Sequence, residues 1–406
     1  MSTNGVGNKH NSVVVIGAGP GGAATAVRLA QRGVKNVVLL DRDEFPRDKT
    51  CGSCLSPMAL KTLDELGMLP AVKEKGYLIR TLVVKTPGNR EMRLTTDAAA
   101  IILLRKYFDN MLVEKAKELG VDFRPNFKAT ELVRDGSGRA VGVRSRDQEV
   151  RADYVIAADG AHSIFSWDPR PKRTISTLVG WWEGFPIEPH TIEMVFDKNI
   201  APLYGWMFPE GENRINIGIC MEGEEKGPDG KWVKTTRNVR EVFNQFIADH
   251  YADRLRNAKQ IGKFKGHPIS YTTWVRDCTA PGMLYIGEGA RMTHNATGEG
   301  IYQAMQSGVF AADAVADVLS GVTTEAKAWN RYLWQLRKRF TLAFALGWVV
   351  RGIVDSPILD LVAQGYNSPT VRGAATWALG SILTGSHVGT GSNAEPVSSP
   401  SASVAA

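Results

Sequence analysis

Glycines are the first residues in this chain whose spacing could support chemistry. The segment Val13-Val-Val-Ile-Gly17-Ala-Gly19-Pro-Gly-Gly22 matches G-x-G-x-x-G. Alone such a match is weak, because glycine-rich turns are common. Here an apolar strand precedes it, an alanine-rich helix follows, and Asp41 ends the next strand nineteen residues past Gly22. Each part has a physical task. Gly17 permits a tight turn, Gly19 lets backbone approach a pyrophosphate, and Gly22 lets the helix pack closely on the sheet. The helix N-terminus faces the phosphates with free N–H groups and a partial positive charge. Asp41 can accept hydrogen bonds from ribose hydroxyls. An accidental glycine turn would leave this context unexplained, so the reading is a dinucleotide site.

The fingerprint alone does not separate NAD from FAD. Two later stretches do. Ala157-Ala-Asp159-Gly160-Ala-His-Ser163 puts Asp-Gly at the end of a buried strand. Leu284-Tyr-Ile-Gly287-Glu288-Gly-Ala290 puts an acid after glycine at the end of another, more than 260 residues beyond the fingerprint. A long flavin cofactor, FAD, needs contacts this far apart. A second acid can bind its ribityl or phosphate end, and the following helix can face its ring. No second G-x-G-x-x-G offers a resident nicotinamide site. Electrons must then come from NAD(P)H docking transiently, or from a ferredoxin.

Other reactive types admit two readings each. Cys51 could give a proton to chemistry at the flavin, or pack as a small residue at a turn. Cys51 and Cys54 have redox-pair spacing, but they do not open a helix in a thioredoxin-like pattern. No second Cys or His pair sits at ligand spacing, so no metal site is expected. His294 precedes Thr297-Gly298-Glu299-Gly300 and could act as an acid near neutral pH; the plainer reading is a side chain satisfying loop backbone. Tyr204, Trp206 and Phe208 alternate along a strand and share one face, which could be pocket wall or core.

These residues need an α/β frame to position them. Segments 13–22 and 23–31 read as strand, glycine turn and helix, and 37–41, 154–159 and 284–288 as further buried strands of a two-sided parallel sheet. From 166 to 276 alternating stretches such as 191–196 and 214–220 suggest antiparallel strands. After 300, residues 301–319 and 326–350 have helical spacing; 105–120 is a helix opened by Arg105. The expected fold is α/β: a Rossmann-like FAD-binding domain (12–80, 100–165 and 277–322) with an inserted antiparallel-sheet substrate domain (81–99 and 166–276) and a C-terminal helical region (323–385). The polar residues 1–11 and the Gly/Ser/Ala/Pro-rich tail 386–406 are expected to be disordered.

The bulk numbers agree with a globular chain. It has 406 residues, 43% hydrophobic and 22% charged, enough for two or three domains. The net charge of +7 suits an anionic lipid or a diphosphate-bearing substrate. No basic run carries interleaved aromatics, which argues against nucleic acid. With four cysteines and no secretory signal, a reducing cytoplasm is the expected location. No window is apolar enough for a membrane-spanning helix. The apolar run 340–350, flanked by Arg337, Lys338, Arg339 and Arg351 and followed by Trp377 and Leu379, suits either a peripheral membrane contact or a core helix over the substrate domain.

Three stretches narrow the reading. Lys49-Thr-Cys51-Gly52-Ser-Cys54-Leu55 resembles C-G-G-G-L. Pro202-Leu-Tyr204-Gly-Trp206-Met-Phe208-Pro209 fits P-x-x-Y-x-W-x-F-P at all five fixed positions, and Thr297-Gly298-Glu299-Gly300-Ile301 fits T-G-E-G-I. Together with the fingerprint and the two acid–glycine stretches, residues 12–320 resemble the geranylgeranyl reductases, in the hydroxylase-like branch of the glutathione-reductase-type FAD fold. The resemblance implies reduction of isolated C=C bonds in isoprenoid chains by hydride from a reduced flavin plus a proton. It implies that Tyr204, Trp206 and Phe208 line a substrate cavity, that Cys51 lies near the ring and Arg105 near the cofactor, and that Gly298 and Gly300 open the helix facing the flavin's pyrimidine end. The chain departs from the family at Ser53 and Cys54, where glycines are usual, at Glu288 in place of aspartate, and at His294-Asn295-Ala296-Thr297 where N-P-x-T is frequent.

Other functions stay open at this point. A single-component monooxygenase acting on a hydrophobic small molecule could use the same fold, although the proline common in hydroxylases is absent at 295. A halogenase would want W-x-W-x-I-P, to which Gly180-Trp-Trp-Glu-Gly-Phe-Pro186 is only loosely similar. A quinone-linked dehydrogenase would want iron–sulfur cysteines after Cys278, and there are none. A non-catalytic flavin-binding protein would turn over no reductant.

Overall fold

Val13, Val14 and Val15 have no exposed surface, nor do Val155, Ile156 and Leu284. Such strands must be covered on both faces, and the cheapest cover is helix. The computed structural model describes residues 12–165, 168, 173–366, 368–371 and 373. The two ends read as disordered, and Trp377 and Leu379, lie outside the described residues.

The helices, in chain order, are α1 (Pro20–Gln31), α2 (Pro57–Glu65), α3 (Leu69–Lys75), α4 (Arg105–Glu118), α5 (Val239–Leu255), α6 (Ile301–Leu319), α7 (Glu325–Val354) and α8 (Ile358–Gly365). A six-stranded sheet runs Thr279–Ala280, Met283–Tyr285, Tyr154–Ala157, Ser12–Ile16, Asn36–Leu40, Asp122–Arg124. Its neighbours are parallel except for the first pair. The fingerprint strand lies inside the sheet, so its C-terminal end and the glycine turn that follows sit beside the ends of Asn36–Leu40 and Tyr154–Ala157. That is where a ligand meets an open parallel sheet. Helices α1 and α6 pack against each other, and α1 also against α4.

A second, eight-stranded sheet runs Lys259–Tyr271, Arg173–Glu183, Arg214–Glu222, Gly205–Pro209, Thr191–Val195, Tyr77–Lys85, Glu91–Ile102, Cys54–Leu55. It is not purely antiparallel as expected: Thr191–Val195 pairs parallel with Tyr77–Lys85. The strand Tyr77–Lys85 also crosses the boundary expected at 80, and Glu91–Ile102 the one at 99. Both are long ribbon strands whose ends reach the first domain, where Ile101 and Ile102 pair with Leu55 and Cys54. The alternation in Arg214–Glu222 has a clear physical cause. Ile215, Ile217 and Ile219 face a core with Phe243 and Phe246 of α5. The residues between them, Asn216, Gly218 and Cys220, stand opposite Phe208, Trp206 and Tyr204.

Helix α7 is longer than the segment 326–350 and lies across both sheets. Its N-terminal half, with Trp329, Tyr332, Leu336 and Phe340, joins the core of the first sheet. Its last turns, with Val350 and Val354, join the core of the second. No single helix among the described residues is long and apolar enough to cross a membrane; α7 and α8 meet at an 85° bend.

Candidate active site

One cavity of about 1770 Å³ runs from the glycine turn to the second sheet. Its walls include Gly17, Gly19, Asp41, Cys51, Arg105, Asp159, Gly160, Tyr204, Trp206, Phe208, Gly287, Glu288, Gly298 and Gly300. Residues read from stretches far apart in sequence thus meet around one space. Gly22 and His294 are not in its wall.

At the turn end the local geometry is set by glycine. A Cβ on Gly17, whose φ is +98°, would lie 2.5 Å from the Ala158 carbonyl oxygen, and one on Gly22 would lie 1.8 Å from the Gly17 carbonyl oxygen. Gly19 caps α1 and leaves open space over the helix N-terminus, with the Arg105 and Arg47 guanidinium groups each 3.9 Å from where its Cβ would be. Arg105 is buried and donates twice to Asp109, at 2.6 and 2.7 Å. Arg47 reaches the same carboxylate at 3.1 Å. Its Nε is buried and has no hydrogen-bond partner among the described residues. Two cations therefore converge on Asp109 beside a helix N-terminus, with Arg47 Nε also 3.7 Å from Asp43, a cationic setting suited to a pyrophosphate. Asp41 accepts from the Ala18 N–H at 2.7 Å and from the Asp43 N–H at 2.9 Å, which holds its carboxyl at the strand end. Burial pushes its pKa up, opposed by those two N–H groups.

Cys51 also lines the cavity, beside the Arg105 guanidinium. Cys51 and Cys54 are both free thiols, so the C-x-x-C spacing does not close here. Burial lifts the Cys54 thiol to about 12, leaving it protonated. Lys49 also lines the cavity, and burial, then the neighbouring Arg105, lowers its pKa. Asp159 accepts from the Ile164 N–H at 3.3 Å. Glu288 accepts from the Ser270 N–H at 2.9 Å, so the longer acid bridges the two sheets.

The far end is apolar. Tyr204, Trp206 and Phe208 form a wall with Ile192, Met194 and Val179. The ring centroids of Tyr204 and Trp206 are 6.4 Å apart and those of Trp206 and Phe208 6.0 Å. The wall is held from behind. Trp206 Nε1–H donates to Asn216 Oδ1 at 2.7 Å, and Asn216 Nδ2–H donates to Glu210 at 3.0 Å. Glu210 also accepts from Trp181 and pairs with Arg214. Gly218 lies under Trp206, and a Cβ there would fall 2.2 Å from the indole. The Tyr204 hydroxyl donates to the Thr297 carbonyl at 2.6 Å, tying the wall to the T-G-E-G turn.

His294 corrects one expectation. Its Nδ1 accepts from the Ala296 and Thr297 N–H groups at 3.3 Å each, and its Nε2–H donates to the Ala343 carbonyl at 3.2 Å. Both ring nitrogens are spent on backbone, and burial lowers its pKa to about 4. Near neutral pH the ring is the neutral imidazole, and its one N–H is already given to the Ala343 carbonyl. It organises the loop and docks it on α7, with Asn295 donating to Phe344 and Arg351 donating to Asn295.

Four residues escaped the sequence reading. Arg47 gave no signal, because a lone arginine in a loop reads as solvated. Lys49 opens the cysteine stretch, with nothing beside it in sequence to mark a ligand. Asn216 had a signal: it is the one amide in an otherwise apolar run. Glu299 has a signal inside T-G-E-G, as the one acid between two turn glycines.

An FAD-binding domain model matches residues 10–328 of this chain. The chain belongs to that family. It is an FAD-dependent oxidoreductase by this membership, and the residues around Gly19 fit the group: a helix N-terminus, an open glycine and two guanidiniums at one end of a long cavity. Digeranylgeranylglycerophospholipid reductase 2 of Methanopyrus kandleri is 28% identical over 343 residues, covering 82% of this chain and 83% of its own. The fold matches a geranylgeranyl bacteriochlorophyll reductase-like protein from Thermoplasma acidophilum with a TM-score of 0.75 at 22% identity, over 92% of each chain. It also matches the flavin-dependent brominase Bmp2 with a TM-score of 0.74 at 20% identity, over 92% of this chain and 94% of that one. At these identities the two structures show a shared fold.

Proposed function

We propose that this chain reduces isolated C=C bonds in a prenyl chain of geranylgeranyl type. The observation that carries the proposal is the joining of an FAD cradle and a deep aromatic–aliphatic chamber in one cavity. Bound and reduced, FAD supplies the hydride. The protein's part is to bind, orient and keep dry. Val179, Ile192, Met194 and the Tyr204–Trp206–Phe208 wall offer an alkene no polar partner, so the chain is held by burial alone, at roughly 25 cal/mol per Å². Asn216 and Glu210 keep the indole of Trp206 in one orientation. Cys51 and Arg105 stand between chamber and cradle, where they shape the approach to the ring. The names of the relatives, reductases of geranylgeranyl lipids, favour this reading over a monooxygenase.

The electron donor in this proposal is NAD(P)H or a ferredoxin docking transiently. Mixing the oxidised holoenzyme with each, without oxygen, separates them by which one bleaches the flavin. A cytoplasmic enzyme acting on lipid-sized chains also suits a membrane surface. Leu342, Val349 and Leu361 on α7 and α8 are each more than half exposed, near Lys338. Co-sedimentation with anionic vesicles, lost in L342D/V349D, tests this contact.

The proposal itself is tested by giving the anaerobically reduced holoenzyme geranylgeranyl diphosphate. Flavin reoxidation with a mass gain of about two units per reduced bond supports it. Reoxidation only on admitting air, with an oxygenated product, supports a monooxygenase.

A further inference from the structure

Glu299 lies in the cavity wall between Gly298 and Gly300. The turn holds it firmly: its N–H donates to Thr297 Oγ1 at 3.3 Å and its carbonyl accepts from the His294 N–H at 2.8 Å. Ser56, the cap of α2, and Gln303 of α6 lie beside its carboxyl and favour its charged form against burial. Its Oε1 is buried and has no hydrogen-bond partner among the described residues. No cation pairs with this carboxyl among the described residues. The titratable groups that face it are Cys54, Tyr204 and Tyr302. The Arg339 guanidinium of α7 bonds the hydroxyl of one of these, Tyr302.

We propose that Glu299 delivers the proton in the reduction, an inference that rests on the prenyl-reductase reading above. One alkene carbon takes the hydride, with its two electrons, from reduced FAD. The π pair forms a C–H bond to the Glu299 proton at the other carbon. The carboxyl O–H bond breaks, leaving a carboxylate that regains its proton from solvent.

Two other groups, Cys54 and His294, are poorly matched to neutral pH. Burial holds the Cys54 thiol at about 12, too tight to donate. His294, at about 4, is neutral, with its one N–H held by the Ala343 carbonyl. For Glu299 burial raises the pKa to about 7, while Ser56 and Gln303 pull it down. The N-terminus of α2 pulls in the same direction. A general acid works best when its pKa lies near the working pH.

The test compares wild type, Glu299→Gln and Glu299→Asp as reduced holoenzymes mixed with geranylgeranyl diphosphate, following flavin reoxidation with pH. In wild type the rate falls above pH about 7, as the carboxyl loses its proton. In E299Q it drops by about 10²–10⁴-fold and that pH dependence disappears, with flavin content and substrate affinity unchanged. E299D keeps the pH dependence at a reduced rate, and carries the test alone if E299Q does not fold. A second readout needs no turnover. The folded chain holds a proton that the unfolded chain releases near 4.5, so Glu299 subtracts stability as pH rises from 4.5 to about 7. The urea midpoint of wild type minus that of E299Q falls across that window. A wild-type rate and pH profile in E299Q overturns the proposal. So does a loss explained wholly by weaker flavin or substrate binding. Failure of wild type itself to reduce the substrate removes the parent reading, and is seen before any variant is compared.

Discussion

Asn216 shows how much one polar side chain carries when it is fully buried. It joins Trp206 to Glu210, so truncation strands an indole N–H and removes a donor from a buried carboxylate. Each unsatisfied group costs roughly 1–3 kcal/mol. N216A is expected to lower the urea midpoint by a corresponding amount and to blunt a Trp206 fluorescence signal on substrate binding. His294 makes a pH prediction of the opposite sign to Glu299. Its folded pKa is depressed to about 4 from an ordinary 6.5. The stability it contributes is present above 6.5 and is lost as pH falls through about 4. H294Q should therefore flatten the acid side of the stability curve measured by thermal melting. At this scale Asp41 and Gly17 were legible in sequence, because turn geometry and strand ends are local. His294 and Glu299 were not. Their properties depend on desolvation by elements that arrive from elsewhere, such as the carbonyl of Ala343, 49 residues away.

Elements with strong periodicity appeared where the pattern put them: the fingerprint strand and α1, the helix opened by Arg105, and α6 over Ile301–Leu319. Pairing between strands was less legible. The parallel match of Thr191–Val195 with Tyr77–Lys85 joins strands more than a hundred residues apart, and alternation says only which face is apolar. Helix α7 was read as either core or membrane-facing, and it is core along one side. The reason it can approach the T-G-E-G loop is Gly347, where a Cβ would fall 1.8 Å from Asn295 Oδ1. G347A should force the loop off the helix at a cost of about 1–3 kcal/mol. The expected result is a lower melting temperature and faster loss of flavin on gel filtration. An unchanged melt would mean that the loop is not clamped there.

For the whole molecule, the fold places a charged cradle at one end of a cavity and an apolar chamber at the other. Arg47 isolates the cradle's contribution, because Arg105 still neutralises Asp109 when it is removed. R47M should weaken FAD binding by about tenfold or more while the melt of the apoprotein stays put. Motif spacing points to the cradle, whereas only the resemblance to the geranylgeranyl reductases implies that Tyr204, Trp206 and Phe208 line a cavity beside the flavin. The walls of that cavity come from both sheets, and local patterns do not encode which distant strands meet. The central claim is the use to which that space is put. The direct measurement is an anaerobic mix of reduced holoenzyme with geranylgeranyl diphosphate, reading flavin absorbance and product mass together. Reoxidation in step with a gain of about two mass units per bond is the predicted result. A flavin that stays reduced until oxygen is admitted would contradict the account.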